Sequence, residues 1–495
     1  MTSRGAQIAL IRAVRPLGAI SVPFGGEPVD LVVADGRIAD VAPTGVLRPA
    51  GQVLEGDGCR VVPGLWDHHV HTVQWALNTE RTALDAAESA SEAARIMGAA
   101  EPLADGRRIG AGMRDAFWPD LPSLRVLDAA TGECPTYLIN ADVHSVWLNS
   151  AAFRREGFAP TADGMLREEE AFEISRRLNT SDDASADRAV IRAAARAAAR
   201  GITGLVDFDM AWNASAWQRR VASGFDAHRV EFAFYAANFA RAIEAGLRTG
   251  EELPGTGGLA HVGPLKLITD GSLGTRTAAC THAYDDDSSN VGVLNIQPDE
   301  LRELLTVATG SGIEVAVHAI GDLAVASALD AFTYTQARGT IEHAQLVRHA
   351  DIARFAHLGV IASVQPGHAL DDRDLAANLW RGQQAIGYPL ASLFAAGVPV
   401  RFGSDAPVAP LDPWMTVAAA VHRTEDAREA WHPEERVTVE TALRASSHHG
   451  DAEIEIGGVA DLVLCGTDPL SADAEQLRQM SVGATLLGGR ITYRA

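Results

Sequence analysis

Short apolar runs punctuate the whole chain, and their spacing changes twice. Over residues 6–60 they read as strands joined by turns: Ile8-Ala9-Leu10-Ile11, then Leu31-Val32-Val33-Ala34, then Arg37-Ile38 after Asp35-Gly36. Asp-Gly between apolar runs is a hairpin signal, because both residues tolerate the positive φ of a tight turn. The far end repeats the style, with Ala460-Asp461-Leu462-Val463-Leu464 and, after Gly488-Gly489, Arg490-Ile491-Thr492-Tyr493. The pattern predicts one small β-sandwich domain assembled from residues 1–60 and 452–495.

Between these ends, apolar runs alternate with helical stretches, which is the signature of a parallel sheet with crossover helices. Eight candidate strands fall at 61–66, 203–208, 230–235, 263–269, 314–318, 340–343, 360–364 and 399–404. Eight is the count of a closed α/β barrel, so the expected class is α/β, a (β/α)8 TIM-like barrel over residues 61–451. The gap between the first two strands is too long for one crossover and places an insertion at about 76–190. Within it, Asp187 to Arg200 (DRAVIRAAARAAAR) reads as a strong helix stopped by Gly201. Arg188, Arg192, Arg196 and Arg200 recur every fourth residue and share one face, expected to be solvated or salt-bridged.

Composition narrows the function. Apolar content of 47% and charged content of 21% describe an ordinary globular chain and exclude disorder. The net charge of −22 argues against a nucleic-acid groove or an anionic membrane surface, both of which require clustered positive charge. No apolar run approaches the ~18 residues of a membrane span, and Met1 to Gly25 lacks a signal-peptide core. Cys59, Cys134, Cys280 and Cys465 form no CxxC pair, so reduced thiols in a cytoplasmic protein are expected. The expected partner is a small-molecule substrate, and a homodimer is compatible with the sequence.

Candidate chemistry gathers at strand ends. In Asp67-His68-His69-Val70-His71, residues two apart on an extended segment point the same way, so His69 and His71 both face the barrel mouth. Two imidazoles converging there suit a divalent metal. Later strands terminate in His318, His343 and Asp405, and the fourth carries Lys266. Barrel active sites lie at this end of the strands. Of 42 basic residues, Lys266 alone is lysine. A guanidinium stays protonated in proteins, so arginine cannot replace lysine where a neutral amine is needed.

The motif PGLWDHHVH (63–71) resembles the strand-one signature of the amidohydrolase superfamily of metal-dependent hydrolases, and ADLVLCGTDP (460–469) resembles its closing β-sandwich segment. The chain is more narrowly similar to the amidohydrolase-3 branch that includes N-substituted formamide deformylases. That likeness rests on VHAIGD (317–322), IEHAQ (341–345), SVQP (363–366), GSDAPV (403–408), LKLITDGSLGTRTA (265–278) and HSVWLNSAA (144–152). It implies one or two divalent ions, with zinc expected: His69, His71 and Asp405 would hold one, and His318 and His343 would hold or face a second. Lys266 would be the strand-four lysine that superfamily members carbamylate with carbon dioxide to bridge two metals.

The implied chemistry is attack of metal-activated water on an amide or N-substituted formamide carbonyl, a C–N bond other than a peptide bond. Asp405 would shuttle the proton, and His343, if not a ligand, would donate to the oxyanion. Asp67 would orient the ligand imidazoles. Arg276, His144 and Asp270 are the candidate substrate contacts, Arg276 through its forked donors. Ester, lactone and carbamate hydrolysis use the same parts. A mononuclear deaminase is disfavoured because Gly321 stands where its glutamate would be, and a non-catalytic binding protein because no ligand position is lost. No GxSxG elbow supports a serine hydrolase. Among the aromatics, Trp66, Trp75, Trp118, Trp147, Trp212 and Phe239 are candidate pocket walls, and Tyr284-Asp285-Asp286-Asp287 reads as a flexible acidic loop.

Overall fold

Strands from the two ends of the chain share one sheet. The computed structural model describes residues 5–495 apart from 49, 85, 104, 116, 117, 141–144, 168, 180, 181, 451 and 452. In the terminal sheet, Arg490–Arg494, Val482–Leu487 and Leu462–Cys465 continue into Arg60–Pro63, Ile8–Pro16, Val29–Ala34 and Arg37–Pro43, with Gln52–Glu55 beside Ile8–Pro16. The turn at Asp35 (φ 51°) and Gly36 (φ 74°) has the left-handed backbone that the Asp-Gly pair predicts. Leu31, Val61, Leu462, Leu486 and Ile491 bury their side chains in one cluster, so residues from both ends share a core.

The second eight-stranded sheet is an all-parallel barrel. Its strands in chain order are Leu65–Val70, Ile202–Asp207, Arg229–Tyr235, Ala260–Ile268, Val315–Ala319, Gly339–His343, Ile361–Val364 and Val400–Phe402. A parallel bridge between Val70 and Ala406 joins the last strand's end to the first. Trp66, Val206, Phe208, Ala233 and Ala316 fill part of the interior. Gly204 makes room for them, because a Cβ there would lie 2.0 Å from the Trp66 ring.

The first strand departs from expectation. Arg60–Pro63 pairs with Leu462–Cys465 in the terminal sheet, and only Leu65–Val70 belongs to the barrel. The run from Val61 to Trp66 is continuously apolar because it is buried in two successive sheets, and hydropathy alone does not show where the chain passes between them. His69 therefore lies within the first barrel strand rather than after it.

Residues 73–193 form a compact unit distinct from residues 1–72 with 194–495. Its five-stranded sheet runs Met165–Arg167, Ser145–Leu148, Thr136–Asn140, Arg108–Met113, Thr82–Ala83. Trp118 and Trp147 pack into the core of this unit. The helix Asp183–Ala199 precedes Gly201, which takes a left-handed φ of 89°. Its arginines are paired as expected of a surface face: Arg192 with Glu80, and Arg200 in a fork with Asp412.

The acidic segment at 284–287 is anchored to the packed core at its start. Tyr284 is fully buried and donates to the Ala278 carbonyl at 2.9 Å, while Asp285 accepts from the Gly382 amide at 2.8 Å. A tyrosine this enclosed belongs to the packed core, and it ties its acidic neighbours down.

Candidate metal centre

His69 and His71 alternate onto the barrel's inner face and meet Asp405 from the last strand's end. Asp405 Oδ1 lies 3.6 Å from His69 Nε2 and 3.3 Å from His71 Nε2. The close approach of the two strands depends on Gly403, where a Cβ would stand 2.7 Å from the His69 nitrogen. Asp67 accepts from the amides of His69 at 3.1 Å and Ser404 at 2.9 Å, which locks the first and last strands in register. Burial pushes its carboxyl up to about 6. Asp67 thus holds backbone; the imidazole of His69 is oriented by Glu342, whose Oε2 accepts from Nδ1 at 2.7 Å.

Around this trio stand the other candidate ligands. Lys266 Nζ is 3.2 Å from His69 Nε2 and 4.1 Å from the centre of the Phe208 ring. The rings of His318 and His343 are 4.5 Å apart, and those of His69 and His343 are 4.9 Å apart. His343 and Asp405 take left-handed φ values of 74° and 60°. Such backbone is costly for residues with a Cβ and persists where the surroundings enforce it, commonly at functional sites.

Three of the imidazoles show which nitrogen they offer. The Nδ1 of His69 faces a carboxylate, so Nδ1 carries the proton and Nε2 the lone pair. His343 Nδ1 donates to Gln365 Oε1 at 2.8 Å, and that amide is oriented by its own bond from Nε2 to the Ser363 carbonyl. His343 thus keeps Nε2 as its lone-pair nitrogen. His318 turns Nε2 toward Asp270 Oδ1 and the Gly271 carbonyl, both at 3.3 Å, leaving Nδ1 as its lone-pair nitrogen. Asp270 is fully buried and accepts the amides of Ala279, Ile320 and Gly321 at 2.9–3.1 Å. A carboxylate so enclosed positions His318, which corrects its reading as a substrate contact.

The donors suit a cation. Burial, then the nearby Lys266, pushes His69 down to about 4, and burial with the neighbouring His318 holds His343 well below its usual range, so both stay neutral. Burial raises Asp405, but His69 and the hydrogen bond from His71 outweigh it and hold its carboxyl well below the usual range. Neutral imidazoles converging on an anionic carboxylate form a borderline N/O set. Separations of 3.3–3.6 Å between His71 or His69 and Asp405 match two bonds of about 2.0–2.2 Å to a shared tetrahedral ion. His69, His71 and Asp405 form one group with mutual separations within 4.8 Å; His343, His368 and Asp405 form another.

The family model described as amidohydrolase family matches residues 52–493. The chain belongs to the amidohydrolase family. It is 28% identical to the Arabidopsis thaliana protein LONG AFTER FAR-RED 3, over 96% of this chain and 89% of that protein. It is 28% identical to an N-substituted formamide deformylase of Arthrobacter pascens over 47% and 45% of the two chains. Among solved structures it resembles a metal-dependent hydrolase from Pyrococcus furiosus, with a TM-score of 0.77, 26% identity, and 93% and 99% of the two chains covered.

Two further residues of this amidohydrolase were expected as substrate contacts. His144 lies outside the described residues. Arg276 pairs with Asp286 at 2.8 Å on a half-exposed loop. Sequence reasoning missed Glu342, Gln365 and His368. Glu342 adjoins His343, and alternation would send neighbours to opposite faces; the left-handed turn at His343 lets both reach the centre. His368 follows Pro366-Gly367 and lacked a strand to mark it, though its place just beyond the seventh strand was the available signal.

Proposed function

We propose that this amidohydrolase cleaves the C–N bond of an amide or N-substituted formamide, using water activated by a divalent metal, with zinc as the proposed ion. The observation that carries the reading is Asp405, whose two oxygens face opposite halves of the histidine cluster: Oδ1 toward His69 and His71, Oδ2 toward His368 at 3.8 Å. A carboxylate in that position has one oxygen for a ligand bond and one for a proton. The similarity to a formamide deformylase supports the choice of bond.

His69, His71 and Asp405 would hold one ion, with His318 and His343 placed for a second. A bound divalent ion supplies an acidified water and a polarised carbonyl. Asp405 accepts the proton of the attacking water and returns it to the leaving nitrogen. Glu342, Gln365 and Asp270 fix the rings of His69, His343 and His318 so that their lone pairs converge. Lys266 is buried, which pushes its amine down to about 8, so a useful fraction is neutral and nucleophilic near neutral pH. The neutral amine adds to carbon dioxide, forming a C–N bond and releasing one proton, and the resulting carbamate is an anionic oxygen ligand.

Arg276 is proposed to meet a polar group of the substrate by exchanging its Asp286 partner. No described helix is long and apolar enough to cross a membrane, and none of the four cysteines is in a disulfide. We place the protein in the cytoplasm, as a monomer or homodimer.

The test is elemental analysis followed by a screen of N-substituted formamides, linear amides and cyclic amides with zinc-reconstituted protein. One to two ions per chain and turnover of an amide are expected. An active metal-free enzyme, or turnover confined to esters, lactones or carbamates, would overturn the reading.

A further inference from the structure

His368 differs from its neighbours in the direction its proton points. Its ring is 7% exposed, stacks nearly parallel to His343 with centroids 6.1 Å apart, and brings Nε2 within 3.8 Å of Asp405 Oδ2. That nitrogen is buried and has no hydrogen-bond partner. The ring is held from behind by Gln345, whose Nε2 lies 3.3 Å from His368 Nδ1. Nε2 faces the Asp405 carboxylate, which only accepts, so the ring proton sits on Nε2 and Nδ1 accepts from Gln345. His69 and His343 have the reverse arrangement, each held from behind by an acceptor oxygen that leaves a lone pair forward.

We propose that His368 is a further catalytic residue, donating from Nε2 to the carbonyl oxygen of the substrate as it becomes an oxyanion. The proposal rests on the carbonyl-hydrolysis reading above. An N–H buried without an acceptor is costly to maintain, and a donor aimed into a reaction centre is satisfied when the acceptor arrives with the substrate. No bond to His368 is made or broken in this role. It tightens as negative charge develops on the oxygen and relaxes when the tetrahedral species collapses with loss of the amine. The feature also sets a substrate requirement, an exposed acceptor oxygen on the scissile carbon.

The test compares zinc-loaded wild type with His368→Ala and His368→Gln, the latter placing an amide nitrogen near the position of Nε2. Three readouts are taken: zinc per chain, calorimetric affinity for methylphosphonate as a tetrahedral oxyanion, and hydrolysis of p-nitrophenyl acetate as a general carbonyl probe. The expected result is unchanged zinc, methylphosphonate binding weakened about tenfold or more in His368→Ala, and kcat lowered about 10²-fold with KM nearly constant. His368→Gln should recover a substantial part of both losses. Loss of zinc in His368→Ala would make the residue a ligand and overturn the proposal, as would equal methylphosphonate affinity in all three proteins or no binding by wild type. Because the phosphonate arm needs no turnover, a protein that hydrolyses no amide would fail the proposed function while still reporting on His368.

Discussion

Two histidine clusters share one strand of this barrel and have opposite characters. His69 and His71 converge with His318, His343 and His368 around Asp405, whereas His68, between them in sequence, points the other way. His68 Nε2 meets the Ser447 carbonyl at 2.8 Å, and nearby His448 stacks on Trp66 at 3.9 Å and bonds Glu231 at 2.8 Å. In the second cluster the imidazoles are spent on carbonyls, carboxylates and ring faces. In the first, Glu342, Gln365 and Asp270 hold the rings of His69, His343 and His318 from behind and leave a lone pair on the opposite nitrogen. Histidine content does not distinguish the two; the direction of each nitrogen does.

Removing the shared carboxylate should separate the clusters most. Asp405→Asn is expected to cut kcat by about 10²–10⁴-fold with zinc still bound, measured by steady-state kinetics beside elemental analysis. Near-wild-type turnover would remove Asp405 from proton transfer. Lys266→Arg should lower turnover and metal content together, and an unimpaired variant would return the lysine to a packing role.

The same lysine gives a pH signature in metal-free protein in carbon-dioxide-free buffer. Its folded-state pKa of about 8 lies below the reference value of 10.5, so between these values the unfolded chain binds more protons than the folded one. Stability should therefore rise with pH across that window, by roughly 3 kcal/mol in total, and this rise should be missing in Lys266→Met. Denaturant titrations at pH 8 and 10.5 measure it; identical slopes in both proteins would refute it.

Smaller effects come from the supports. Glu342→Gln keeps the shape but weakens the acceptor behind His69, and should reduce zinc affinity about 10–100-fold in a chelator competition. Glu231→Gln in the second cluster should cost about 1–3 kcal/mol of stability and leave zinc content and kcat unchanged. A change in metal content there would mean that the clusters are coupled.

The convergence of candidate donors at strand ends was legible because barrel strands are short apolar runs and the donors follow them directly. His69, His71, Lys266, His318, His343 and Asp405 are brought together in the structure from four separate strands and the end of a fifth closing on the first. What escaped was the support layer. Glu342 and Gln365 carry no pattern of their own, and their value appears only when a partner ring from another strand is beside them. The offset of the first strand escaped for a related reason: burial in either sheet looks alike in hydropathy. Asp270, expected as a substrate contact, is used by the fold to gather three backbone amides, which no local pattern announces.

The terminal sheet has a consequence for how the molecule is made. The amide of Gly5 donates to Ile491 at 2.8 Å, and Gln7 bridges Arg490, so the first strand meets the last. A ribosome delivers those partners almost a whole chain length apart in time. Arg60–Pro63, paired early with Ile8–Pro16 on one side, must wait for Leu462–Cys465 to fill the other. Because Gly5 and Ile491 are hydrogen-bonded, a permuted chain that links these two segments and is opened in an exposed loop would abolish that wait.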